Sequence, residues 1–181
     1  DKASVSAHMM HSLGSTDYAS GPGWQAVRLP YRGDRLSMWV MLPTGATKPL
    51  DLLAPAALTA AGMGFRPTSV DLSLPRWDLD DKMDLTKTLQ ALGLDIFGSG
   101  DFRGLTPNPS FVVSQVLQQA NITVGEKGTV AAAATAIIGE RSRQAPPPDH
   151  VTFDADHPFA FTIMDNTTGA PLFEGTVSDP S

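Results

Sequence analysis

Cysteine is absent from the 181 residues. Neither a disulfide framework nor thiol catalysis is therefore available to this chain, and the absence does not choose a compartment. Positive charge is also scarce. Thirteen Lys and Arg stand against 19 Asp and Glu, for a net charge of −6 and a pI near 5.0. A nucleic-acid binder needs the opposite balance, so no nucleic-acid partner is expected. No apolar run approaches the roughly 20 residues of a membrane-spanning helix, so no membrane partner is expected. The start, DKASVSAHMM, lacks the pattern of a secretory signal. It reads as mid-chain sequence, with further chain expected before it. Histidine numbers only four. His8 and His11 in HMMH have no third or fourth ligand at useful spacing, so no metal is assigned. His157, in ADHPF, reads as structural. Ser, His and Asp all occur, but without a nucleophile elbow, so no catalytic residue and no cofactor are assigned.

What is present suits one domain or a large part of one. The chain is 41% hydrophobic and 18% charged, enough to bury a core. GWQAVRLPY (23–31) and LSMWVMLP (36–43) read as the two strands of a β-hairpin with Gly33-Asp34 at its turn. Arg32-Gly33-Asp34 spells an adhesion tripeptide, but a tight hairpin tip explains it more simply. PLDLLAPAALTAAGMGF (49–65) has helical spacing interrupted at Pro55, which predicts two short helices. SVDLSLPRWDL (69–79) alternates Val70, Leu72 and Leu74 with polar neighbours and predicts a half-buried strand. DLTKTLQALGL opens with Asp84 as a cap, places Leu85, Leu89 and Leu92 on one face, and can end at Gly93. FVVSQVLQQANITV (111–124) is β-rich and long for a strand. HPFAFTIMD and PLFEGTV predict a second hairpin around NTTG. The sum is an α+β chain, mostly antiparallel strands with a few helices inserted. Asn121-Ile122-Thr123 and Asn166-Thr167-Thr168 fit the glycosylation pattern. The first falls in a strand expected to be buried, the second at a hairpin tip.

One stretch breaks the pattern. EKGTVAAAATAII (126–138) is nearly all small side chains, follows a strand, and runs into GERSRQAPPP. Propensity favours helix for such a run, while its neighbours favour strand, and conflicts of this kind mark functional sites. Read as a strand, one face carries Thr129, Ala131, Ala133 and Thr135 and the other Val130, Ala132, Ala134 and Ala136. Such a strand could enter an existing sheet without forcing large or charged groups into the core. Each ladder bond gained is worth roughly 0.5–1.5 kcal/mol net. A dozen would supply on the order of 10 kcal/mol, comparable with the roughly 5–15 kcal/mol of a whole domain.

This stretch, with LPYRGDRLSMWVMLP, DFRGL, VSQVLQQANITV, VTFDADHPFAFTIMDNTTGAPLF and GTVSDP in that order, resembles the serpin family along essentially the whole chain. The resemblance implies the serpin fold, with residues 1–181 as the C-terminal portion of a single domain whose N-terminal half is absent here. It implies a reactive-centre loop at about 126–148, offered as bait to a serine protease. Cleavage forms an acyl-enzyme, and the loop then inserts as a new strand, a known case of strand addition. The hinge maps to Glu126, Gly128, Thr129, Ala131, Ala133 and Thr135, with Arg76 as the expected cation for Glu126. Two positions depart from the family pattern: Val130, commonly acidic, and Gln118, commonly His. A strict count along the family's usual loop points to Ser142; a loop one residue shorter puts the primary residue at Arg141 and the scissile bond at Arg141–Ser142, with Arg143 as the alternative. Arginine there would fit the acidic pocket of a trypsin-like protease. Pro146–Pro148 would stiffen the far leg of the loop.

The expected function is therefore inhibition of a serine endopeptidase by the full-length protein, not catalysis. Its partners are the target protease and the other half of the domain. A non-inhibitory serpin acting as a binding or carrier protein is the alternative, and a hydrolase the third reading. Extracellular placement is expected, with cytoplasmic placement as the other option. Domain-swapped polymers are a possible assembly, because exposed strand-forming loops can pair with another molecule's sheet.

Overall fold

The computed structural model describes residues 6–94, 102, 104–106, 108, 111–126, 128–129 and 150–180. Two compact units emerge, residues 1–78 with 123–181, and residues 79–122. Strands dominate both in number and length, in agreement with the mostly antiparallel reading.

In the first unit, β1 (Met9–Gly21), β2 (Trp24–Pro30), β3 (Leu36–Pro43), β4 (Arg66–Pro75), β8 (Val151–Asp154), β9 (Phe159–Asp165) and β10 (Pro171–Val177) form one sheet. Its order is β10-β9-β3-β2-β1-β4-β8. β4 and β8 pair in parallel, and the other neighbours are antiparallel. β3 and β9 lie mid-sheet and are buried almost throughout, which is why both read as continuous apolar runs rather than alternations.

The expected break at Pro55 is present. A 3₁₀ helix, Pro49–Leu53, stops there, and α1 (Pro55–Gly64) starts with Pro55 in its first turn, where a missing N–H costs nothing. Leu52, Ala61 and Phe65 pack on Ala26, Trp39, Met41 and Ala160, and the Phe65 ring meets Trp39 edge-on at 4.9 Å. On β4, Val70, Leu72 and Leu74 are buried as their alternation predicts.

β1 was not legible as a strand. MMHSLGSTDYASG carries no clean alternation. It is extended because it pairs along both edges, with β4 over residues 9–18 and with β2 over 17–21. His11 stands opposite Ser73 in that register, Nδ1 to Oγ 2.9 Å. His157 has the structural setting expected of it. Its Nε2 lies 2.8 Å from the Pro43 carbonyl and its Nδ1 2.6 Å from Asp156, tying the entry of β9 to the end of β3.

The β2–β3 turn holds Gly33 and Asp34 at φ of 87° and 55°, a left-handed pair suited to a tight hairpin. The β9–β10 turn is bound to it. Ser37 Oγ donates to Asn166 Oδ1 at 2.6 Å, and Asn166 Nδ2 donates to the Asp34 carbonyl at 2.7 Å. The hairpin-tip sequon therefore has its acceptor nitrogen engaged. Asn121 belongs to a strand as expected but is exposed, not buried.

β5 (Trp77–Asp84) and β6 (Leu117–Gly125) adjoin in a three-stranded sheet with β7 (Gly128–Thr129), in the order β5-β6-β7. The run predicted as one strand over 69–79 is thus two, β4 and β5, interrupted at Arg76. In the first unit Thr123 Oγ1 donates to Asp78 Oδ1 at 3.0 Å. In the second, Gln119 Nε2 donates to Asp80 Oδ1 at 3.1 Å. The second unit also holds α2 (Thr86–Ala91), closed at Gly93 with φ 80°. The N-cap is Leu85, without a side-chain cap bond, rather than the expected Asp84; Asp84 Oδ1, one residue earlier, accepts from Thr86 N at 3.0 Å. Leu85 and Leu89 of the apolar stripe read for α2 are half-buried, while Leu92 is 77% exposed, so the stripe is covered only over its first two positions.

Candidate functional site

β6 ends where the small-residue run begins, and the chain reverses directly. Gly125 pairs with Gly128 and Val124 with Thr129, both antiparallel. Gly128 and Thr129 thus lie as a short third strand, β7, on the edge of β6 away from β5. Directly opposed residues of an antiparallel pair share a face of the sheet. Position 129 therefore stands opposite Val124, which is buried at 7% exposure.

That face continues along β6 through Ile122 and Ala120, both half-buried, to exposed Gln118. The opposite face carries Thr123, Asn121 and Gln119, with exposed Leu117 at its start; Thr123 and Gln119 are bonded to aspartates of β5. Toward its C-terminal end, β6 thus has one covered apolar side, Ala120, Ile122 and Val124, and one polar side, Gln119, Asn121 and Thr123.

Glu126, at the reversal, forms an ion pair with Arg76 through Oε1 and Nη2. The pairing expected for it is present. Arg76 is positioned by the interruption between β4 and β5, and its main-chain N–H donates to the His8 carbonyl at 2.9 Å. Both side chains are about half exposed, 52% and 54%. The Arg76 hydrogen bond, then Glu126's own main-chain N–H and the nearby Arg76 and His8 charges, hold the Glu126 carboxyl below its ordinary range. The group is thus ionised at neutral pH. A depressed pKa stabilises the folded form above the ordinary carboxylate value near 4.5, and that contribution is lost as pH falls through the lowered value.

Removing the charge should therefore act locally. In the full-length protein, Glu126→Gln is expected to speed amide exchange at Gly128 and Thr129 several-fold at pH 7. Exchange in β3 and β9 should not change. The difference between variant and parent should shrink as the buffer is acidified. Equal exchange in the two proteins at neutral pH would remove Glu126 as the anchor of the turn.

Of the hinge residues read from the sequence, Glu126, Gly128 and Thr129 are brought together here. Ala131, Ala133, Thr135 and the bait residues Arg141, Ser142 and Arg143 lie outside the described residues. What sequence reasoning missed is the β6–β7 register. The signal for it was the abrupt change from VLQQANITV to small residues across one Gly-containing turn.

Comparison with known proteins gives a consistent picture. A family model described as "Serpin (serine protease inhibitor)" matches residues 1–180. Serpin B3 of Homo sapiens is 39% identical over 184 residues, covering 97% of this chain and 47% of the relative. Plasminogen activator inhibitor 1 of Neovison vison is 34% identical over 192 residues, covering 99% and 47%. The structure of a serpin from the trematode Schistosoma haematobium superposes with a TM-score of 0.83 at 26% identity, over 97% of this chain and 47% of that one. The chain spans about half the length of the curated relatives it matches.

Proposed function

The chain belongs to the serpin family, and on that premise we propose that the full-length protein is a suicide-substrate inhibitor of trypsin-like serine proteases. In this reading its cut loop inserts beside β6. The observation that carries the proposal is the β6–β7 pairing, a strand begun in the place and direction that insertion would continue. Continued along β6, the register would set positions 131 and 133 opposite half-buried Ile122 and Ala120, and 135 opposite exposed Gln118 on the same side. Those positions are Ala, Ala and Thr. Val130, in place of the family's common acidic residue, would face the polar side with Thr123.

Lengths support the same reading. β6 has nine residues, Leu117–Gly125. Its last rung, Leu117, would meet position 136, and the chain from 128 to 136 reads GTVAAAATA before bulky Ile137. The segment without large side chains is as long as the strand it would lie against. Within the family reading, the protease serine attacks the carbonyl of Arg141 and the bond to Ser142 breaks. The freed loop then has no tether at its distal end to prevent pairing. Family membership is compatible with secreted and with intracellular placement.

The other wall of the insertion site would come from the part of the relatives' length that this chain does not span, so the test belongs to the full-length protein. Incubation with trypsin is expected to give a covalent complex that survives SDS, together with loop-cleaved inhibitor. Cleavage with no such complex would exclude trapping and favour the non-inhibitory alternative.

A further inference from the structure

We infer that Thr86 is a positioning residue that sets the end of β6, and with it the length of strand available to an added neighbour. The second half of that statement rests on the insertion reading above. The first half stands on the geometry of residues 84–117.

The sequence reads as β-rich from Phe111, yet β6 begins only at Leu117. The change occurs at Val116. Its main-chain N–H is not bonded in a backbone ladder but donates to Thr86 Oγ1 at 3.0 Å. Its carbonyl accepts from Leu85 N at 2.9 Å. Both polar groups of Val116 are thus held at the junction between β5 and α2. The preceding residue is held there too, because Gln115 Nε2 donates to Asp84 Oδ2 at 2.9 Å.

The junction is a closed set. Asp84 receives Thr86 N, Gln115 Nε2 and the Thr86 side chain. The Thr86 oxygen, as it serves Asp84, accepts from Val116. A hydroxyl can do both, since it carries one donor and two acceptor sites. These bonds, the Thr86 side chain first and Gln115 second, bring the Asp84 carboxyl down from 3.8 to about 2. The acceptor therefore stays ionised across the working pH range, and its contribution would be lost only as pH falls below about 4 toward 2.

A threonine that merely capped α2 would affect the helix. One that ends β6 must affect the strand. Thr86→Val keeps the shape and removes the hydroxyl, and Thr86→Ser restores it. In the uncleaved full-length protein, T86V is expected to speed amide exchange across Val116–Ala120 about tenfold, the order expected for a lost hydrogen bond. T86S should match the parent, and amides of Met38–Leu42 should be unchanged in both. Exchange in T86V confined to α2, or failure of T86S to restore the parent pattern, would overturn the inference. Should T86V not fold, Gln115→Ala removes one bond to Asp84 and is expected to move the same amides by a smaller factor. No movement there would overturn it equally. None of these measurements depends on trapping, so loss of the insertion reading would leave the assignment of β6's end in place.

Discussion

Thr129→Arg in the full-length protein is expected to convert a trap into a substrate. The loop should still be cut at the parent rate, since position 129 is twelve residues before Arg141. The SDS-stable complex should fall at least about tenfold, because an uncompensated buried charge costs several kcal/mol. The cause lies in the register. Position 129 pairs with Val124 on the buried side of β6, so the inserted strand would carry a guanidinium into that side at its first rung. In the trapping reading even a modest delay in insertion would be sufficient, since the acyl-enzyme would hydrolyse in competition with it. Val130→Arg is the matched control. It would fall on the polar side with Thr123, and complex yield should remain within about twofold of the parent, as expected of a surface change. An unchanged yield of complex in T129R would show that the small face of the run is not what enters the sheet.

The second large effect is expected at the bait bond. Arg141→Ala should slow inactivation of trypsin by about 10²- to 10³-fold, the consequence of leaving the protease's buried specificity carboxylate without its partner. Arg143→Ala should change the rate by less than about tenfold, as expected of a solvated charge outside the specificity pocket. The size ordering identifies the bond. If R143A carries the large loss instead, cleavage falls at Arg143–Gln144, and N-terminal sequencing of the released C-terminal piece would begin at Gln144 rather than Ser142. A chain in which neither substitution matters is not using these arginines as bait.

How much of this could be read from the residues depended on whether side chains or pairing decided the structure. The β2–β3 and β9–β10 hairpins were legible because apolar runs and turn residues both point to them. The break at Pro55 was legible because proline acts locally. β1 was not, since MMHSLGSTDYASG becomes a strand through partners on both edges rather than through its own alternation. The start of β6 was misjudged by several residues for a related reason. FVVSQ has strand-forming side chains, but the strand starts only after Val116, whose N–H is bonded to the Thr86 hydroxyl rather than to a ladder partner. The two sequons exchanged standing because Asn166 is consumed by Ser37 and Asp34, a contact between hairpins far apart in sequence. At the candidate site, the small face of the run and its family resemblance came from the sequence. The face of β6 that it would meet needed the register.

The position of β9 has a practical result for any nicked form of the molecule. Cutting anywhere between residues 130 and 149 separates β8, β9 and β10 covalently from all that precedes them. β9, however, lies between β3 and β10 with every one of its seven residues buried, and β8 is bound along β4. The severed tail is therefore a structural subunit rather than a leaving fragment. It should elute with the larger piece from a sizing column under native conditions and part from it only in denaturant.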